Sequence, residues 1–95
     1  MPAYVIADVT VTDPATMDEY RKQVPATIAK YGGRFVVRGG AFQVLEGDWK
    51  PNRLVVIEFP TLDAARRWYD CEEYREPKAL RIKAGRTNLV IVEGV

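Results

Sequence analysis

Along this chain the spacing of apolar residues switches between the two-residue repeat of a strand and the three-to-four-residue repeat of a helix, and the switches mark its elements. Ala3 to Val11 reads A-Y-V-I-A-D-V-T-V, β-branched, free of Pro and Gly and too short for an amphipathic helix, which predicts a first strand with two largely apolar faces. Asp13 stands before Pro14, an N-cap followed by the residue best suited to the first helical position, with Asp18 and Glu19 adding negative charge near the positive helix start. Met17, Tyr20, Val24, Ile28 and Tyr31 then recur at helical steps and Gly32-Gly33 supplies the stop, so this helix is expected to reach about Lys30. Pro25 removes an N–H and crowds the preceding turn, which predicts a kink or break near Lys22.

Arg34 to Arg38 reads as a strand, and after a bend or bulge at Gly39-Gly40 the pattern resumes as A-F-Q-V-L-E from Ala41 to Glu46. A turn starting at Gly47-Asp48 then leads into an apolar strand from Arg53 to Phe59, together a β-hairpin that Pro60 ends. Thr61 caps a short helix with Leu62, Ala65, Trp68 and Tyr69 on one face, and a second helical piece from Cys71 to Ile82 holds Tyr74, Leu80 and Ile82, with Pro77 arguing against one unbroken rod. Thr87 to Val92 is the last strand. The order is therefore β-α-β-β-α-β: an α+β, ferredoxin-like domain whose helices cover one face of a four-stranded antiparallel sheet. Tyr4, Ile6, Val36, Leu54, Val56, Val90 and Val92 oppose equally apolar neighbours, so the uncovered face is also apolar and a second copy of the chain is its natural cover.

Ninety-five residues make one domain, spanning 1–95. Fourteen Lys+Arg against thirteen Asp+Glu leave a net charge of +1, too balanced for a nucleic-acid footprint. At 47% hydrophobic and 28% charged residues the chain is expected to fold as a soluble protein, and its longest apolar runs fall far short of a membrane span. Zero histidines remove the usual neutral-pH base, the commonest metal ligand and every Ser-His or Cys-His dyad. The single cysteine, Cys71, fits a reducing cytoplasm, and carboxylates without ligand spacing predict no metal site.

Several short runs carry a resemblance: D-P at Asp13-Pro14, Y-G-G-R from Tyr31 to Arg34, R-G-G from Arg38 to Gly40, L-E-G-D-W from Leu45 to Trp49, V-V-I-E-F-P from Val55 to Pro60 and A-A-R-R-W-Y from Ala64 to Tyr69. Together with Glu73-Tyr74 and Arg81 they resemble the domain of unknown function 1330 family over essentially the whole chain. Where family members usually carry a serine, this chain has Cys71. The resemblance implies the dimeric α+β-barrel fold, a ferredoxin-like protomer whose sheet packs on its partner's, and implies no particular reaction. Related barrels include cofactor-independent monooxygenases, small isomerases and haem enzymes, an analogy of fold only, and the missing histidine disfavours haem. No cofactor is expected.

Asp8, Glu58 and Arg38 each interrupt an apolar strand; a carboxylate buried against Arg38 would bind or deprotonate a small acidic molecule, while a structural ion pair is the plainer account. Tyr20, Tyr31, Trp68, Tyr69 and Tyr74 are expected on the helix-facing side, as an aromatic cavity or as ordinary core. Arg81 is a carboxylate clamp or a solvated helix charge. The candidate ligand site is accordingly Tyr20, Arg38, Glu58, Trp68, Tyr69 and Arg81, under the helices, with Glu58 the best catalytic candidate. Alternation alone leaves Glu58 on either sheet face. Two functions fit: a homodimer that binds or transforms a small organic molecule without a cofactor, and an interaction or stress-associated dimer with no ligand.

Overall fold

In the computed structural model, which describes residues 1–95, the chain forms β1 (Ala3–Val11), α1 (Pro14–Lys30), β2 (Arg34–Arg38), β3 (Leu54–Phe59), α2 (Leu62–Asp70), α3 (Glu72–Ala84) and β4 (Gly85–Glu93). This is the ferredoxin-like βαββαβ arrangement with its second helix divided in two. Local chemistry sets the joints. Asp13 caps α1 by accepting the Thr16 N–H at 3.2 Å and the Thr16 hydroxyl at 2.6 Å. Thr61 caps α2 by accepting the Ala64 N–H at 3.0 Å. Cys71 is extended, with ψ at 156°, and separates α2 from α3.

Neither internal proline breaks its helix. α1 runs through Pro25 and α3 through Pro77 as single elements. Val24, Thr27 and Ile28 are buried on both sides of Pro25, and that packing outweighs the lost backbone bond.

The sheet order is β2-β3-β1-β4 with every neighbouring pair antiparallel. Val5, Ile57 and Phe59 face the helices and pack with Ile28, Trp68 and Tyr74, the heart of the core. The opposite face presents Ile6 between Val56 and Val90, and Tyr4 between Glu58 and Val92. Val90 is 57% exposed and Val92 46% exposed, so apolar surface stands open on this side of the sheet.

Two expectations about the middle of the chain are corrected. Ala41 to Glu46 is not a strand: the last rung between β2 and β3 is the Gly39 N–H on the Leu54 carbonyl, and Phe42, Val44 and Leu45 are exposed. The segment that would have paired with them is held by β1 instead, with Asp8 accepting the Trp49 indole N–H and the Asn52 backbone N–H at 3.0 Å each. The irregularity expected at Gly39-Gly40 lies earlier, where Phe35 pairs with Ile57 but Val37 pairs with Val56, making Val36 the extra residue of a β-bulge. The bulge reverses the side-chain alternation, so Arg38, opposite Val55, points to the helix side together with Phe35.

Candidate functional site

Between the helices and the sheet lies a cavity whose atom-free space, open mouth included, is about 590 Å3, of which about 60 Å3 admits the centre of a water-sized sphere. That is room for several waters or a small planar molecule. Val5, Ala7, Val55 and Ile57 form its floor on the sheet, and Trp68, Tyr74, Tyr20 and Arg81 close it from the helices. Arg38 is exposed and Arg21 and Arg53 are half-buried, so these three lining arginines mark its mouth, beside Phe35.

Each polar member is placed by an element. The buried stripe of α3 is Tyr74, Pro77, Arg81 and Ala84, so an arginine occupies an inward helical position while Ile82 stays out. Arg81 is only 6% exposed, and its Nε donates to the Tyr74 hydroxyl oxygen at 3.3 Å. That hydroxyl is 3.0 Å from the Tyr20 hydroxyl, giving a chain from arginine to phenol to phenol across the cavity. Burial, with Tyr74 alongside, pushes the Tyr20 pKa well above the ordinary phenol value, so Tyr20 is a neutral donor and not a base. Burial opposes the charge of Arg81, but the phenol groups of Tyr74, Tyr20 and Tyr69 together outweigh it and hold the Arg81 pKa above the ordinary value. Trp68 stacks at 4.2 Å on Tyr74, and its indole N–H donates to the Thr27 hydroxyl at 3.0 Å, which fixes the ring edge. At the mouth the Arg38 guanidinium lies 4.3 Å from the centre of the Phe35 ring. Gly39 has φ +72°, and the Arg53 guanidinium occupies the space its Cβ would take, so glycine there lets Arg53 lie over the opening.

Four of the six residues expected in the site, Tyr20, Arg38, Trp68 and Arg81, line this cavity. Tyr69 does not: it borders a second cleft between the helices and edge strand β4, which meets the cavity at Arg81 and Leu89, with the Lys78 ammonium 4.2 Å above its ring. Glu58 lies on the opposite sheet face, because Ile57 and Phe59 take the inward positions on either side of it. There it accepts from Arg34 at 2.9 Å and from the Tyr4 hydroxyl at 3.1 Å, and those donors hold its carboxyl below the ordinary range. Asp8, on the same outer face, is lowered by the Asn52 backbone N–H and the Trp49 indole. Both carboxylates belong to the structural account, and no group of three or more Cys, Asp or Glu side chains could hold a metal ion. Arg21 and Arg53 were missed. Arg21 sits four residues after Met17 and three before Val24, on the apolar stripe of α1, and that phase was a usable signal. Arg53 carried none beyond standing at the start of a strand.

A ferredoxin-like domain with a basic, aromatic cavity beneath its helices is the class that this fold and site define. Residues 2–95 match the model of the domain of unknown function DUF1330, and the chain belongs to that family. Among solved structures it is similar to RPA0582, a protein of unknown function from Rhodopseudomonas palustris, with a TM-score of 0.78 at 18% identity over 99% of this chain and 82% of that one. It is also similar to SnoaB, a cofactor-independent oxygenase from Streptomyces nogalater, with a TM-score of 0.68 at 19% identity over 99% of this chain and 93% of that one. At such identities the likeness is one of fold. No curated protein matches the sequence, and no helix is long and apolar enough to cross a membrane.

Proposed function

We propose that this chain is the protomer of a cytoplasmic homodimer whose inner cavity binds a small planar organic molecule. The cavity itself carries the reading: twelve of its sixteen lining residues are hydrophobic, and its few polar groups converge from α1, α3, β2 and the residue just before β3. Its chemistry is donation toward negative charge, since the lining holds no carboxylate, imidazole or amine to take a proton. Handling a molecule without a cofactor is supported by SnoaB, which shares the fold and is cofactor-independent. The free thiol of Cys71 supports a reducing compartment.

Dimerisation is supported by the exposed apolar outer face, where burial would contribute about 25 cal/mol per Å2. A monomer in sedimentation at micromolar concentration would refute it. For the cavity, Trp49→Phe leaves Trp68 as the sole tryptophan, at the site itself. Small aromatic acids and alcohols titrated into this variant should change Trp68 emission and raise the melting temperature. If no member of such a panel does either, the cavity is closed core and the binding reading fails.

A further inference from the structure

Resting on the reading of the cavity as a binding site, we infer that its ligand is an organic oxyanion, a carboxylate, phenolate or enolate conjugated to a planar apolar group, held by Arg81 inside and by Arg38 and Arg53 at the mouth. The observation is how the arginines are partnered. The chain has nine, of which Arg21, Arg34, Arg66, Arg67 and Arg75 are ion-paired. Of the four that are not, Arg38, Arg53 and Arg81 all line this one cavity. A protein with a net charge of only +1 has carboxylates enough to partner them, yet none is placed among the lining residues.

A buried guanidinium without a counter-ion is costly, and a bound anion would supply the missing charge. Arg81 is that group: its Nε donates to the Tyr74 hydroxyl oxygen with Tyr20 close by, and no carboxylate pairs with it, so its terminal nitrogens can offer the bidentate fork that carboxylates fit. Those nitrogens are not sealed in protein, because the single side-chain polar atom both buried and unpartnered is the Thr87 hydroxyl oxygen. At the mouth, burial and the nearby charges of Arg21 and Arg38 hold the Arg53 pKa below the ordinary value, the mark of cations held close together. An entering anion relieves that crowding, and the apolar floor of Val5, Ala7 and Ile57 accepts its ring.

The test uses matched pairs differing in charge and little in shape: benzoate against benzamide, and 2-naphthoate against 2-naphthamide, followed by Trp68 emission in the Trp49→Phe protein. At least one acid should bind tenfold or more tighter than its amide, with affinity falling as salt rises. Arg38→Met and Arg53→Met should each weaken the acid about tenfold and the amide much less; both residues are outside the core, so these variants should fold, as circular dichroism would check. Arg81→Lys should weaken the acid further, because an ammonium cannot form the fork. Equal binding of acid and amide would overturn the oxyanion while leaving the cavity as a binding site. An acid preference untouched by all three substitutions would place the anion elsewhere and overturn the assignment. Silence from all four probes would remove the binding reading, and this inference with it.

Discussion

On the outer face of the sheet Glu58 is held by Arg34 and Tyr4, and Asp8 by Trp49 and Asn52, while on the inner face Arg38, Arg53 and Arg81 are paired with no carboxylate. The apolar surface is divided the other way. Inward-facing Val5, Ile57 and Phe59 are sealed under helices, whereas outward-facing Val90 and Val92 stand open. The outer face has settled charges and unburied carbon; the inner face has buried carbon and unsettled charges. The difference teaches what each side needs from outside: another apolar surface for the first, a small negative charge for the second.

Four substitutions sharpen or break this comparison. Trp68→Ala removes the largest inner-face side chain and should cost about 3–5 kcal/mol, read as a lower melting temperature; an unchanged value would mean that the inner face is not the core. Val56→Asp places a carboxylate at the centre of the outer face and should weaken self-association by on the order of 3 kcal/mol, about a hundredfold. Sedimentation would show monomer, and a dimer of undiminished strength would mean that this face is not the interface. Thr27→Val strips the acceptor from the buried Trp68 indole and should cost about 1–3 kcal/mol in denaturant titration.

Glu58→Gln has the smallest effect. Its carboxyl is lowered by Arg34 and Tyr4, so the stabilisation it gives is present above the ordinary glutamate value of 4.5 and is lost as pH falls through the lower folded value. Thermal melts should therefore show a shallower acid limb in the variant than in the wild type, with ligand binding at neutral pH unchanged. A tenfold loss of binding would instead put Glu58 in the site and collapse the distinction between the faces.

The elements whose signals were local could be read directly. Asp13-Pro14 announced α1, the β-branched run announced β1, and the apolar pairs of β1, β3 and β4 foretold a sheet with two apolar faces. The site was half legible: Tyr20 and Trp68 followed from helical phase, and Arg81 was singled out with its inward position undecided. Glu58 was placed under the helices because a charge in an apolar strand invites a chemical role, and only the pairing of Ile57 and Phe59 with the core decides which side it takes. Ala41 to Glu46 has the composition of a strand, but a strand needs a partner, and Asp8 holds the segment that would have been one. A sequence shows propensity; it does not show which backbone is already occupied.

The bulge at Val36 works like a frameshift written into a strand. Before it, even-numbered residues of β2 face outward; after it, odd-numbered residues do. In a relative that lacks this one residue the strand would alternate without a break, and its counterpart of Arg38 would still face the cavity but stand one place earlier in the count. Transferring site residues between members by position alone is therefore unsafe on this strand, and counting along the chain must restart at Val37.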